Sequence, residues 1–400
     1  MSLFFQVIPV AEAIRILTSG VEPAGDEEIP LGEGLYRVLS GAVASDTDIP
    51  GFTRSVVDGY AVLAADTTGA GDTIPSMLRL TGSVPMGGVP DRAVEPGECI
   101  YVPTGAVLPP GADAVVMLEH AEPAGDLVLV RRPVAPGENV LARGEDFLRG
   151  GVVLPAGRRL RPQDLGVLAA AGKDRVRVYR RPRVGVISTG NELVPVTAVP
   201  SPSQVRDVNS TLCAGFLQEH GCVPVGYGIV RDERDLLYAA LDRALHECDA
   251  VLVSGGSSKD ARDHCAAAIE AGGKVLAHGV GIQPGKPTIL GRVRGKPVVG
   301  LPGHPASAYV VLRALVRPLL GAMAGALPPE RRVPAVLAEN IPSTRGREDW
   351  VRVKLEGGRA RPVFGKSGLL NTLAASDGVV VVPAEREGRE AGEAVEVILW

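Results

Sequence analysis

The sequence predicts a multidomain α/β-plus-β protein organised around a doubly wound, mainly parallel sheet. From residue 182 onward, uniformly apolar strand-type runs alternate with helix-type segments, the pattern of a parallel sheet buried on both faces. Residues 46–139, and the chain beyond 327, instead carry short strand-type runs broken by Pro and Gly. A length of 400 residues exceeds what one hydrophobic core usually organises, so two to four domains are expected.

Residues 10–19 (VAEAIRILTS) have helical periodicity and stop at Gly20. The runs GYAVLA, MLRLTG, ECIYVP, DAVVMLEHAE and LVLVRRP make 46–139 a β-rich module with no strong helix pattern. GGVVLPAGRRL follows, then a helix in PQDLGVLAAAG, where Pro162 suits a first turn and Gly172 an end. The sheet region then runs strand VGVIST, helix TLCAGFLQEHG, strand VPVGYGIV and helix ERDLLYAALDRALHE. Strand DAVLVSGG, a helix over 261–271, strand KVLAHGVGI, a hairpin through TILGRVRGKPVVG and one long helix, ASAYVVLRALVRPLLGAMAG, complete it. VPAVLAE, WVRVKLE, GVVVVP and VEVILW are strands of a terminal barrel or sandwich of about 70 residues, a size that can fold alone.

A net charge of -4 argues against a general nucleic-acid binder, whose affinity rests on excess cations. The five cysteines are odd in number and form no C-x-x-C pair, which disfavours zinc ribbons and disulfide frameworks. The N-terminus has no basic leader, and no apolar run approaches membrane-spanning length. The expectation is a soluble, cytoplasmic protein with no nucleic-acid or membrane partner.

Ligands of open parallel sheets bind beyond the carboxyl ends of the strands. Four such exits carry polar loops: Ser188–Glu192, Arg231–Glu233, Ser254–Asp263 and Gly300–Pro305. Glycines admit a ligand close to the backbone, and helix-start N–H groups favour anions, so four exits together indicate a phosphate-bearing ligand. Glu192, Asp232 and Asp263 suit helix capping one by one, whereas three acids beside an anion site suit a divalent metal. Lys286, on the Pro/Gly loop Ile282–Pro287, is a candidate cation for a phosphate or tetrahedral oxyanion. In the β-rich module, Asp58-Gly59, Pro103-Thr104-Gly105 and Arg143-Gly144-Glu145-Asp146 read equally as turns or as functional loops. The six histidines show no metal-ligand spacing, and no G-x-S-x-G elbow or Walker loop is present.

DIPGFTRSVVDGYAV, PTGAVLPPGADAVVM, RGEDF, VGVISTGNEL, GIVRDE, SGG followed by Asp263, PGKP and GLPGHPASA occur in order. Together they resemble the molybdopterin molybdenumtransferases, the family of MoeA and the gephyrin E domain. The resemblance implies a doubly wound, MogA-like molybdopterin-binding domain (residues 1–20 and 178–325) and a small linking α+β domain (21–45 and 140–177). It further implies an inserted β-rich module (46–139) and a C-terminal β-barrel (326–400), assembled as a homodimer. The activity it implies is insertion of molybdate into adenylylated molybdopterin with release of AMP, using Mg²⁺.

Carried over by position, the catalytic residues are Asp58, Thr104, Asp146, Glu192, Asp232 and Asp263, the last two also holding Mg²⁺. The substrate-binding residues implied are Ser254, Gly255, Gly256, Ser258, Lys286, Pro302, Gly303, Pro305, Arg347 and Ser367. Molybdopterin adenylyltransferase and molybdoenzyme apoproteins are the implied partners. Departures are Gln283 where many members have lysine, Asn191 where some have an acid, and Ser257, Lys259 and Asp260 in the SGG loop. Two other readings remain, a molybdopterin adenylyltransferase and a non-catalytic pterin carrier or scaffold.

Overall fold

The computed structural model describes residues 7–255 and 259–400, the side chains of 259–263 excepted. Its centre is a six-stranded sheet. In chain order the elements are α1 (Val10–Thr18), β1 (Arg183–Thr189), α2 (Asn209–Glu219), β2 (Val223–Val230), α3 (Arg234–Glu247) and β3 (Ala250–Gly255). They continue with α4 (Lys259–Gly272), β4 (Gly273–His278), β5 (Ile289–Val293) and β6 (Lys296–Leu301). The strand order is β2-β1-β3-β6-β5-β4, parallel from β2 to β6 and closed by the antiparallel β6-β5-β4 edge.

The continuous apolar strands are explained by what covers them. On one face, Val184, Val186, Leu252 and Val299 pack with Val10, Ala13 and Leu17 of α1 and with the helix after β6. On the other, Ile187, Val251 and Val253 meet Leu237, Leu241 and Leu245 of α3 and Ile269 of α4. The first helix of the chain thus belongs to the core of a sheet whose first strand begins at Arg183.

The segment expected as one long helix divides into α-helix Pro305–Val311, a π-helical stretch Leu312–Val316 and α-helix Arg317–Ala324. Pro318 has no N–H for the carbonyl of Ala314, and a widened turn absorbs the missing bond. An 18-residue stretch within Pro305–Ala324 is apolar enough to span a membrane, yet 72% of it is buried inside the protein, so the apolarity serves the core.

Between α1 and β1, Asp26–Pro30 pairs antiparallel with Arg175–Tyr179, around a core of Ile29, Leu39, Leu160, Leu168 and Val178. A second six-stranded sheet, from Gly59–Val62 to Leu127–Val130, has separate apolar clusters around Tyr60 and Val116, and around Ile100 and Val115. At the C-terminus, Glu348–Glu356 pairs with both Arg359–Pro362 and Gly378–Val382, closing a five-stranded barrel with Arg332–Leu337 and Ala394–Leu399. Closure leaves the barrel's strands with no free edge. Strand pairing and shared core bind it to the sheet. Ile282–Gln283 adds in parallel to Glu348–Asp349, and Trp350, Val379 and Ile398 join the core beneath the sheet. All five cysteines are free and buried, consistent with the absence of disulfide spacing.

Candidate functional site at the carboxyl edge of the sheet

The four exits predicted from sequence follow the four parallel strands and converge at one edge. At the β1 exit, the buried Thr189 donates its hydroxyl to Asp232 Oδ1 at 2.5 Å, joining the β1 and β2 loops. The Asp232 N–H donates to Asn191 Oδ1 at 3.3 Å. Glu192 folds back over Gly190, where a methyl group would sit 2.9 Å from Oε2. Two carboxylates therefore flank the Thr189–Gly190 peptide.

Asn209, at the start of α2, binds the next exits together. Its Nδ2 donates to Ser254 Oγ and to the Gly303 carbonyl, both at 2.8 Å, while its buried Oδ1 meets no partner among the described residues. Asp207 caps the same helix through the Ser210 N–H at 3.1 Å. Asp207-Val-Asn209 before an apolar helical run is an N-cap signature that would have marked this corner in the sequence.

Two adjoining clefts open here. The smaller, about 210 Å³, is lined by Gly255, Gln283, Lys286, Pro302, Ser307 and Ser367 among others. The larger, about 600 Å³, is lined by Glu192, Arg206, Asp207, Asn209, Ser254 and Pro305 among others. Gly255, Gly303 and His304 are walls of both. Cys265 reaches the smaller cleft, but burial pushes its thiol up to about 12, so it is no nucleophile.

Lys286 is carried by a rigid loop. The Gln283–Pro284 bond is cis, Gly285 has φ of 138°, and Thr288 Oγ1 donates to the Gly285 carbonyl at 2.7 Å. A methyl group on Gly285 would lie 2.8 Å from Val311 Cγ2, so glycine is required for the loop to press on the helix. Lys286 forms no ion pair among the described residues, which leaves its charge available to a ligand.

The barrel contributes Ser367, whose Oγ is 2.8 Å from His304 Nδ1, and whose carbonyl accepts the Ala306 N–H at 3.1 Å. Arg347 lines neither cleft; it is paired with Asp349 at 3.2 Å, beside the Gln283 strand. Asp58 and Thr104 meet each other in the β-rich module, Asp58 Oδ1 accepting the Thr104 N–H at 2.7 Å and hydroxyl at 3.1 Å. Asp146 lines a different cleft of about 640 Å³, with Asp48, Pro50 and Glu145. None of these three lines the clefts at the sheet edge. Gly256 and Ser258 lie outside the described residues, as do the side chains of Lys259, Asp260, Arg262 and Asp263. Among the described residues no three His, Cys, Asp or Glu side chains form a metal-holding group.

A small cleft bearing a lysine with no ion pair among the described residues, beside a larger one with mixed apolar and hydrogen-bonding walls, suits an α/β protein of the class that handles a compound anionic ligand. Family models match almost end to end: the MoeA N-terminal region (domain I and II) over residues 8–172, a probable molybdopterin binding domain over 185–322 and the MoeA C-terminal region (domain IV) over 334–400. The chain is 33% identical to a putative molybdopterin biosynthesis protein of Methanocaldococcus jannaschii, over all of both chains. It is 31% identical to the molybdopterin molybdenumtransferase of Bacillus subtilis, covering 98% of this chain and 94% of that one. A crystal structure of the molybdopterin biosynthesis MoeA protein from Pyrococcus horikoshii superposes with a TM-score of 0.88 at 35% identity, covering 99% of this chain and all of that one. The chain belongs to the MoeA family of molybdopterin molybdenumtransferases.

Proposed function

We propose that this protein is a molybdopterin molybdenumtransferase that inserts molybdenum from molybdate into adenylylated molybdopterin, giving molybdenum cofactor and AMP. The observation that carries the reading is Lys286, without an ion pair among the described residues, in a small cleft that adjoins a larger one at Gly255, Gly303 and His304. An oxyanion fits the first and the pterin and adenylyl phosphates the second, with their reacting ends adjacent at Gly255, Gly303 and His304. Lys286, Ser367 and the backbone of the Pro302-Gly303 turn hold the oxyanion. Pro302, Gly303 and Pro305, with Ser254 and Gly255, form the cradle for the phosphates. Catalysis is then positioning and electrostatic, and no protein nucleophile is required.

Asp232, with Asp263 on α4, would hold Mg²⁺. Mg²⁺ takes one or two carboxylates plus phosphate oxygens, so the hard oxygen donor set fits without a three-acid cluster. When bound, it would neutralise phosphate charge. Thr189 orients Asp232 by occupying one of its oxygens.

Asp58 and Thr104 in the inserted module, and Asp146 beyond it, lie apart from the two clefts, which supports a homodimer in which a partner subunit completes the site. A cytoplasmic enzyme receiving substrate from molybdopterin adenylyltransferase and passing cofactor to molybdoenzyme apoproteins follows from this reading.

The test is incubation of the protein with adenylyl-molybdopterin, Mg²⁺ and molybdate or tungstate, following AMP release and reconstitution of a cofactor-free molybdoenzyme. Molybdate-dependent AMP release with reconstitution is expected. Tight pterin binding with neither signal would establish a carrier, and ATP-dependent AMP transfer to molybdopterin would establish an adenylyltransferase.

A further inference from the structure

His304 is a wall of both clefts, and its two ring nitrogens have different surroundings. Nδ1 lies 2.8 Å from Ser367 Oγ, across the junction between sheet and barrel. The opposite edge faces Gly368 in the larger cleft: a methyl group built there would lie 3.7 Å from Cδ2 and 3.9 Å from Nε2. Among the described residues none hydrogen-bonds Nε2. The ring is anchored at one nitrogen and available at the other, where the clefts meet.

The smaller cleft needs such a group. Lys286 is the one lysine or arginine among its described lining residues, and a point charge serves one side of a tetrahedral dianion. Ser307 and Ser367 add only neutral hydroxyls. When the Ser367 hydroxyl donates to Nδ1, the imidazole proton sits on Nε2 and that nitrogen becomes a donor. The geometry points to His304 as a specificity-determining ligand of the oxyanion: its Nε2 donates to molybdate, and Ser367 fixes the tautomer that lets it do so. The inference rests on the smaller cleft being the oxyanion subsite, with the oxyanion seated at its junction with the larger cleft, the side toward which Nε2 faces.

Two substitutions separate the ring nitrogens. An asparagine amide can reproduce the Nδ1 contact with Ser367, and a glutamine amide reaches the Nε2 position. Sodium molybdate is titrated calorimetrically into the full-length protein and its variants, with AMP binding and melting temperature measured alongside. His304→Asn is expected to weaken molybdate about tenfold, the loss of one hydrogen bond to a charged group, with AMP affinity unchanged. His304→Gln is expected to stay within about twofold of the parent. Wild-type molybdate affinity in His304→Asn would overturn the assignment, as would an equal loss in both variants. Should His304→Asn melt early, His304→Leu against His304→Gln gives the same readout, since both lose the serine contact and only glutamine keeps a donor. If the parent protein neither binds molybdate nor releases AMP, the transferase reading fails. If it does both and His304→Asn is unaffected, only the role of His304 fails.

Discussion

At the scale of single residues, the site depends on short polar contacts made by side chains that also face a ligand. Asp232 is half-buried and takes its orientation from Thr189, so removing its charge perturbs chemistry far more than folding. Asp232→Asn is expected to lower AMP release at least about a hundredfold, as loss of a preorganised charged group does, and to move stability by no more than about 0.5 kcal/mol. A matched fall in activity and melting temperature would instead make it a structural residue. Asn209 has the opposite balance. Its amide satisfies Ser254 Oγ and the Gly303 carbonyl together, so Asn209→Ala strands two acceptors at a cost of about 1–3 kcal/mol, readable by urea unfolding. Weakened pterin affinity is expected with it, because the β3 and β6 loops lose their common tie.

At the scale of elements, the loop that carries Lys286 and the helix that opens at Pro162 show how backbone and charge are matched. Gly285→Ala places a methyl group against Val311 in a backbone region that side chains rarely adopt. Destabilisation of about 1–3 kcal/mol is expected, with molybdate affinity falling further than AMP affinity because Lys286 is displaced. Asp164, in the first turn of its helix, is nearly inaccessible. Burial opposes its charge, but bonds from Arg158 and Arg161 and from the Arg161 N–H prevail and hold it down at about 2. A carboxyl depressed in the folded state stabilises the protein above its ordinary range and loses that contribution as pH falls from about 4 to about 2. The amount is of the order of 2 kcal/mol. Asp164→Asn should flatten this acid limb in unfolding curves measured between pH 5 and pH 2.

At the scale of the whole molecule, the clefts and the Asp58–Thr104 pair lie on different parts of the chain, and the homodimer proposal brings them together. Subunits bearing Asp58→Ala and Asp232→Ala are each expected to be inactive. After co-refolding, half the dimers are mixed and each has one intact site, so activity should return to about a quarter of the parent level. Continued inactivity of verified mixed dimers would place each complete site within one subunit.

The order of strands and helices, the parallel sheet and its four loaded exits were legible in the sequence. Apolar periodicity, Pro162, Gly172 and the glycine-rich turns are local signals, and burial on two faces leaves a local trace in VGVIST and DAVLVSGG. Lys286 was legible for the same reason, since its neighbours Pro284, Gly285 and Pro287 announce a stiff loop. Other features depend on partners distant in sequence. The Thr189–Asp232 bond, the Asn209 tie to Gly303 and the Ser367 contact with His304 carry no periodic signature. The choice of barrel over sandwich likewise rested on closure by Glu348–Glu356 with Gly378–Val382, and the packing of α1 under the sheet on burial against strands far along the chain. Periodicity records whether a side chain is buried. Which groups share that burial, and which polar atoms are left to meet a ligand, is settled when segments tens to hundreds of residues apart come into contact.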